Sequence, residues 1–184
     1  DSKELLASNL NFFSNALRNA DKISSCIEFG ANIGMNMRAI KLLHPAVSLS
    51  AIEINKTAAE QLAAVIGEPN VFNGSIFDYP ADQQFDLTLI KGVLIHINPE
   101  MLPTVYEKLY NASGKYILVC EYYNPSPVAI SYRGHEDRLF KRDFAGEMLE
   151  KYSDLKLLDY GFSYKRDTVF PQDDITWFLM EKKK

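Results

Sequence analysis

The chain has 184 residues, of which 47% are hydrophobic and 24% are charged, and these proportions are typical of one soluble globular domain with a sizeable core. Its formal net charge of −4 argues against a surface that binds duplex nucleic acid, since such surfaces need an excess of basic residues. The sequence contains no run of about eighteen apolar residues and no signal peptide, so nothing in it indicates a membrane segment.

The two cysteines, Cys26 and Cys120, both fall within predicted buried strands. Buried cysteines behave as small hydrophobic residues and persist as thiols in a reducing compartment. We therefore expect a cytoplasmic protein without a disulfide. The chain begins with Asp1 rather than Met, which we interpret as a sign of truncation at the amino terminus.

The first predicted element is an amphipathic helix over about residues 3–19, where apolar residues recur at helical spacing. The apolar run 23–29 then predicts a buried strand, and a helix is predicted over 35–43. Between them lies the turn Glu28-Phe29-Gly30-Ala31-Asn32-Ile33-Gly34. Glycine accepts positive φ and lets the backbone approach a ligand, while the helix that follows directs unpaired N–H groups towards that ligand.

A second apolar run, 47–54, predicts a strand that carries Glu53 near its carboxyl end. In a doubly wound sheet this carboxylate lies beside the first turn, where it can accept hydrogen bonds from two ribose hydroxyls. The arrangement predicts a nucleoside-binding half-site. The dinucleotide fingerprint G-x-G-x-x-G does not fit, because Asn32 and Met35 stand where it needs glycine. The alternative is a plain strand-to-helix turn with an acid that faces the core.

The middle of the chain continues the alternation of strands and helices. The carboxyl end of a central strand borders the crevice in which open α/β sheets bind ligands, so the residues after each strand are site candidates. The predicted elements are a helix over 56–66, a strand over 70–72, a strand over 85–90, a helix from Asn98 to about 110 and a strand over 115–120.

The segment 122–143 is predicted to be a substrate loop, since it mixes aromatic and basic residues above the same edge as the glycine turn. A helix over 144–152 and two closing strands, 155–164 and 174–181, follow. The whole predicts an α/β fold in one domain, 1–184. The sheet is Rossmann-like, doubly wound, mostly parallel and seven-stranded, with an antiparallel C-terminal edge strand and helices on both faces.

The order and spacing of these elements resemble those of class I S-adenosylmethionine-dependent methyltransferases over nearly the whole chain. The glycine turn reads E-x-G-x-N-x-G, a variant of the E-x-G-x-G-x-G turn of that family. The resemblance implies S-adenosylmethionine as the cofactor and S-adenosylhomocysteine as its product. Ser75 departs from the acidic residue that many relatives carry in the adenine-binding turn. By position, the implied cofactor-binding residues are Glu28, Gly30, Asn32, Gly34, Glu53, Ile54, Ser75, Ile76, Ile90, Lys91 and Gly92.

Several strings in the carboxyl half carry a narrower resemblance. They are similar to the family called pseudaminic-acid-biosynthesis-associated methylases, which implies a small anionic, sugar-like acceptor in bacterial surface-sugar (nonulosonic acid) biosynthesis. The strings are Lys91-Gly92-Val93-Leu94-Ile95-His96-Ile97-Asn98, Glu121-Tyr122-Tyr123-Asn124-Pro125, Tyr132-Arg133-Gly134-His135, Arg138-Leu139-Phe140-Lys141-Arg142-Asp143-Phe144 and Pro171-Gln172-Asp173-Asp174-Ile175-Thr176-Trp177-Phe178.

A sulfonium makes its methyl group electrophilic, so the protein mainly has to align a nucleophile with it. A base helps if the acceptor is a hydroxyl or amine of low acidity, and only geometry can choose among the catalytic candidates His96, Glu121 and His135. Basic side chains would suit an acidic acceptor. Tyr122 and Tyr123 alternate across the strand end, so at most one of them faces the crevice. The candidate substrate-binding residues are Tyr122, Tyr123, Asn124, Tyr132, Arg133 and Arg138.

Three alternatives stay open at this point. The same fold could transfer the methyl group to a protein or peptide, or it could bind the cofactor without turnover. Nicotinamide oxidoreduction is the weakest alternative, because the glycine spacing is wrong. No compact His, Cys and carboxylate cluster with ligand spacing is visible, so we expect no metal. The expected partner is a small-molecule acceptor, without nucleic acid or membrane.

Overall fold

The computed structural model describes residues 2–132 and 135–183, and the side chains within these ranges except those of residues 2 and 130–138. The helices are α1 Ser2–Ala16, α2 Met35–Leu43, α3 Lys56–Ile66, α4 Leu102–Ala112 and α5 Phe144–Lys151. The strands are β1 Ser25–Phe29, β2 Ser48–Glu53, β3 Val71–Asn73, β4 Phe85–Lys91, β5 Ser113–Glu121, β6 Val128–Tyr132, β7 His135–Lys141, β8 Leu155–Ser163 and β9 Ile175–Lys182. Short 3-10 helices span Glu68–Asn70, Leu94–His96 and Pro99–Met101.

Seven of these strands form one sheet in the order β3-β2-β1-β4-β5-β9-β8. The first five are parallel, and β9 runs antiparallel to both β5 and β8. The predicted fold class is confirmed. The C-terminal strand is antiparallel as predicted, and it lies one position inside the edge, which β8 forms.

Helices cover both faces of the sheet and bury two apolar clusters against it. One face packs on α1, α2 and α3 through side chains such as Phe13, Ile40 and Leu62. The other packs on α4 and α5 through side chains such as Leu109 and Met148. Because β5 is covered on both faces, its central residues are all buried, which explains its nearly continuous apolar sequence.

Polar side chains set several helix ends at the predicted places. The Oδ1 atom of Asn55 accepts the Ala58 N–H at 3.1 Å and begins α3, and Gly67 ends that helix at φ 88°. The predicted cap Asn98 accepts the Glu100 N–H at 3.1 Å and begins the 3-10 helix Pro99–Met101, while α4 starts only at Leu102 and not directly after Asn98 as predicted. Helix α1 ends at Ala16, before the predicted residue 19.

The prediction of a loop over residues 122–143 is wrong for most of that segment. Strands β6 and β7 form a separate antiparallel hairpin, which pairs Val128 with Lys141 and Tyr132 with His135. Strand β7 lies against the 3-10 helix Leu94–His96. The sequence of β7, HEDRLFK, lacks the alternation of apolar and polar residues that signals a strand. Its pairing therefore depends on contacts with neighbouring segments of the same chain.

Cys26 and Cys120 are both buried free thiols, as predicted. Among the helices of the described residues, none combines the length and apolar character that crossing a membrane requires.

Candidate active site

A cavity of about 420 Å³ opens at the carboxyl ends of β1, β2 and β4. This edge is where the strand order reverses direction, and it is the usual ligand site of an open α/β sheet. The predicted residues that line the cavity are Gly30, Asn32, Glu53, Ile54, Ser75, Ile76, Lys91 and Gly92. The sequence analysis did not single out the other lining residues, Ile52, Gly74, Phe77, Val93 and Ile97.

The glycine turn adopts a backbone that depends on its residue types. Gly30 has φ 80° and Gly34 has φ 83°, and both angles lie in the left-handed region that glycine occupies without strain. Asn32 stands where relatives have glycine, and its φ of 50° is tolerated because asparagine visits this region more readily than most residues. The Gly30 and Ala31 N–H groups both donate to the Ile52 carbonyl, at 2.9 and 3.0 Å. The turn is therefore held directly to the end of β2.

Glu53 is held in a single orientation beside this turn. Its Oε2 atom accepts the Asn32 N–H and its Oε1 atom accepts the Asn55 N–H, both at 2.7 Å. The side chain is 8% exposed and lines the cavity. Each oxygen of an ionised carboxylate has a second acceptor position, so Glu53 can still accept hydrogen bonds from a ligand.

The turn after β3 forms the apolar end of the cavity. The Ser75 Oγ atom accepts the Phe77 N–H at 3.2 Å, and the Ser75 carbonyl accepts the Asp78 N–H at 3.0 Å. The hydroxyl of Ser75 thus stabilises its own turn. Ile54 is 71% exposed and lines the same cavity as Ile76, so two apolar side chains are available to pack on a planar ring.

Lys91 connects the cavity to elements that are distant in sequence. Its Nζ atom donates to Gln172 Oε1 at 3.3 Å and lies 5.2 Å from the centre of the Phe12 ring. Gln172 Nε2 in turn donates to the buried Asn9 Oδ1 at 2.7 Å. Helix α1 and the segment before β9 therefore meet at the end of β4. Sequence reasoning missed Asn9 and Gln172, and no local signal marks them.

Glu28 lies beneath the turn, fully buried, and does not line the cavity. Its Oε1 atom accepts from Asn36 Nδ2 at 2.6 Å, while Oε2 has no hydrogen-bond partner among the described residues. Burial raises the pKa of Glu28 to about 7, although the Asn36 hydrogen bond and the positive charge of Lys91 oppose that rise. Near neutral pH this carboxyl group is therefore only partly ionised.

This raised pKa predicts how stability depends on pH. A buried acid whose pKa is about 7 in the folded state and 4.5 as an ordinary glutamate binds more protons when folded, so the unfolding free energy falls as pH rises between these values. Glu28→Gln keeps the acceptor for Asn36 and removes the titrating group. We expect its unfolding free energy to rise by about 2–3 kcal/mol, relative to that of the original chain, between pH 5 and pH 8. Urea unfolding at both pH values measures this difference, and parallel pH profiles would contradict it.

Of the three candidate bases, neither His96 nor Glu121 lines the cavity. His96 is exposed at the end of the 3-10 helix Leu94–His96. Glu121 is 2% exposed, and its Oε1 atom accepts the Val93 and Leu94 N–H groups at 2.7 and 2.8 Å. Burial raises the pKa of Glu121 to about 7, and these backbone hydrogen bonds oppose that rise. The side chain of His135 lies outside the described residues.

Tyr122 and Tyr123 lie on opposite sheet faces, as alternation predicts. The Lys141 Nζ atom lies 5.3 Å from the centre of the Tyr122 ring, and burial and the Asp173 carboxylate raise the pKa of Tyr122 to about 12. Tyr123 is 41% exposed and its ring centre is 5.8 Å from that of Phe178. Tyr122 packs on the face that carries α1, whereas Phe178, beside Tyr123, packs on the other face.

Of six further predicted residues, the structure places three in full. The Asn124 side chain donates to the Ser126 carbonyl, and its N–H donates to the Arg142 carbonyl at 3.4 Å. Ile90 is buried in the core next to α4, and Gly34 begins α2, where an added Cβ would lie 2.8 Å from Leu62 Cδ1. Arg133 and the side chains of Tyr132 and Arg138 fall outside the described residues.

No group of three His, Cys, Asp or Glu side chains within the described ranges could hold a metal ion.

Solved methyltransferase structures share this fold. The 1,6-didemethyltoxoflavin-N1-methyltransferase of Burkholderia thailandensis, solved with S-adenosylhomocysteine, aligns over 98% of this chain and 79% of its own at a TM-score of 0.73 and 13% identity. An S-adenosylmethionine-dependent methyltransferase from Clostridium acetobutylicum aligns over 100% of this chain and 93% of its own, at a TM-score of 0.68 and 11% identity. The mitomycin 7-O-methyltransferase aligns over 96% of this chain at a TM-score of 0.67 and 14% identity, and this chain spans 53% of its length.

A scan against protein-family models and a search of curated proteins each found no match. At these low identities the structural likeness shows the fold, which is the class I methyltransferase fold predicted from the sequence. The narrower resemblance to pseudaminic-acid-biosynthesis-associated methylases stays a prediction.

Proposed function

We propose that this chain is an S-adenosylmethionine-dependent methyltransferase that acts on a small anionic, sugar-like acceptor. The observation that carries the cofactor assignment is the placement of Glu53, which two backbone N–H groups hold at the cavity wall beside the glycine turn. The volume of about 420 Å³ lies within the range of small-molecule sites, roughly 300–1,000 Å³. Small ligands of this kind bury most of their surface in such a cavity.

The residues present fit the chemical parts of this cofactor. Glu53 has free acceptor positions for the ribose hydroxyls, and Ile54 and Ile76 offer apolar surface to the adenine ring. Gly30 carries no side chain at the point where the backbone faces the cavity, and an added Cβ would lie 2.6 Å from Val93 Cγ2. The ammonium group of Lys91 would suit the carboxylate of the methionine portion.

When bound, S-adenosylmethionine supplies an electrophilic methyl group, so the work of this chain is to bind and align two reactants. Glu53 orients the nucleoside, and the apolar side chains after β2 and β3 exclude water from it. His96 is exposed at the same edge of the sheet, which supports a role as the base for an acceptor hydroxyl. Glu121 is already engaged by two backbone N–H groups, which argues against that role for it.

Lys141 supports an anionic acceptor. It extends from the hairpin over the ring of Tyr122, just beyond β5. An acceptor that enters where β4 and β5 end would meet this ammonium group, which is placed to attract a carboxylate or phosphate. The sugar-like character of the acceptor, and a place in nonulosonic acid biosynthesis, rest on the sequence resemblance of the carboxyl half.

The cofactor assignment is tested by calorimetric titration with S-adenosylmethionine, S-adenosylhomocysteine and, separately, reduced nicotinamide adenine dinucleotide. We expect micromolar dissociation constants for the first two and no binding of the third, since the glycine turn lacks the G-x-G-x-x-G spacing of a dinucleotide site. Binding of the nicotinamide cofactor alone would overturn the proposal.

The acceptor class is tested with a matched pair of substrates. A nonulosonic acid such as N-acetylneuraminate and its methyl ester differ in the charge of one carboxyl group, so a methyl-transfer assay that compares them isolates the contribution of that charge. We expect the free acid to have the lower KM at low ionic strength and this advantage to shrink as salt is added. Equal KM values would remove the anionic requirement.

A peptide acceptor is the second candidate. Tyr160 and Phe162 on β8, and Tyr164 directly after it, are each at least 49% exposed, and the carboxyl end of this strand lies at the same edge of the sheet as the cavity. Exposed aromatic side chains are enriched at protein-binding surfaces. Methyl transfer to unstructured peptides, with none to sugar acids, would favour this candidate.

A further inference from the structure

The chain between β4 and the 3-10 helix Leu94–His96 forms one wall of the cavity. The Gly92 N–H donates to the Cys120 carbonyl at 2.9 Å, which extends the pairing of β4 with β5. Gly92 then turns the chain with φ 67°, so the next N–H groups leave the sheet without backbone partners. Glu121, at the end of β5, supplies the acceptor for two of them: its Oε1 atom receives the Val93 and Leu94 N–H groups at 2.7 and 2.8 Å.

The wall that these hydrogen bonds hold lies directly against the glycine turn. A Cβ on Gly30 would lie 2.6 Å from Val93 Cγ2, so the two residues are in close contact across the cavity floor. Both residues line the cavity. Since side chains in a packed interior move as a unit with their backbone, the position of the Val93 backbone determines the width of the cavity at this point.

The burial of Glu121 indicates that its side chain acts on the protein and not on a reactant. Its Oε2 atom is buried and has no hydrogen-bond partner among the described residues. The residue is 2% exposed and does not line the cavity. A general base has to reach the acceptor directly or through one water molecule, whereas Glu121 contacts the backbone of Val93 and Leu94 and does not line the cavity.

We propose that Glu121 is a positioning residue for the cofactor site, which fixes Val93 against the glycine turn by accepting the backbone N–H groups of Val93 and Leu94. This proposal rests on the proposed function, because the ligand whose site Glu121 shapes is the cofactor. A positioning role differs from a catalytic role, in which Glu121 would exchange a proton with the acceptor.

The test compares Glu121→Ala with Glu121→Gln. The alanine variant loses both hydrogen bonds, and we expect its dissociation constant for S-adenosylmethionine to rise about tenfold as the wall shifts. The glutamine variant keeps an acceptor oxygen for the two N–H groups, so its dissociation constant and kcat should stay within about threefold of the original. Loss of kcat by about 100-fold or more in Glu121→Gln, with cofactor affinity kept, would show a base and overturn the proposal.

Two further variants separate positioning from general loss of stability. Val93→Ala leaves Glu121 intact and removes the contact with Gly30, so it should weaken cofactor binding as Glu121→Ala does. Thr88→Val removes a buried hydroxyl of β4 that donates to the Leu109 and Tyr116 carbonyls at 3.4 Å, away from the wall. It should lower stability and leave cofactor affinity unchanged. If Thr88→Val weakened cofactor binding as much as Glu121→Ala does, Glu121 would be a merely structural residue.

Amide hydrogen exchange in the ligand-free protein tests the positioning role without relying on cofactor binding. We expect exchange at Val93 and Leu94 to be at least about tenfold faster in Glu121→Ala, and unchanged in Glu121→Gln and Thr88→Val. If the original chain bound no cofactor while exchange followed this pattern, the proposed function would fail and the positioning role would stand. Unchanged exchange in Glu121→Ala would overturn the positioning role, whatever the chain binds.

Discussion

Gly30→Ala should lower the affinity for S-adenosylmethionine by at least about 100-fold and destabilise the fold by about 2–4 kcal/mol. Gly30 has φ 80°, where an L side chain is strained, and the added Cβ would lie 2.6 Å from Val93 Cγ2. Relief of this clash requires the glycine turn or the wall after β4 to move into the cavity that both line. Calorimetric titration and urea unfolding of the same preparation measure the two effects.

A second glycine provides the matched control for Gly30→Ala. Gly67 has φ 88° at the end of α3 and does not line the cavity, so Gly67→Ala introduces the same backbone strain away from the site. It should lower stability and leave cofactor affinity unchanged. The double variant Gly30→Ala with Val93→Ala should recover part of the lost affinity, because it removes the atom against which the new Cβ clashes. Equal affinity of Gly30→Ala and the original chain would remove the turn from the cofactor site.

Glu53→Gln should lower the affinity for S-adenosylmethionine by about 100-fold. Each Glu53 oxygen already accepts a backbone N–H, from Asn32 and from Asn55, both at 2.7 Å. A glutamine has one oxygen, so its amide NH₂ would face one of these donors, and the ribose would lose a charged acceptor as well. Hydrogen bonds to charged groups are worth about 1.5–3 kcal/mol each, which accounts for a loss of this size.

Calorimetry of Glu53→Gln and of Glu68→Gln measures this effect against a matched carboxylate. Glu68 is exposed on the 3-10 helix Glu68–Asn70 and lies outside the cavity, so its replacement changes net charge equally without touching the site. An unchanged dissociation constant for Glu53→Gln would exclude Glu53 from the cofactor site and leave its carboxylate with a role only in the turn.

The fold and the half of the cavity that we propose binds the nucleoside follow from local sequence. Positive φ at Gly30 and Gly34, and a tolerated left-handed angle at Asn32, are properties of those residue types, so the turn could be predicted from seven consecutive residues. The place of Glu53 follows from the order of parallel strands, because β2 pairs with β1 and ends beside the turn. Alternation also placed Tyr122 and Tyr123 on opposite faces.

The hairpin of β6 and β7 could not be predicted in this way. Its second strand is rich in charged residues. Such residues form a strand when neighbouring segments of the same chain supply the hydrogen-bond partners. The 3-10 helix Leu94–His96 lies against β7, and that contact joins segments whose proximity no local pattern encodes.

The sequence alone thus determined the doubly wound, mostly parallel sheet, the glycine turn and the acid beside it, because each depends on residues close together or on the regular direction of strands. Only the tertiary structure decided which groups Glu121 and Lys91 contact. Glu121 meets the Val93 N–H 28 residues away, and Lys91 meets Gln172 81 residues away. A side chain at a strand end can act on a ligand or on the neighbouring backbone. The choice depends on the register of β4 against β5 and on the turn at Gly92, which arise only when distant parts of the chain pack together.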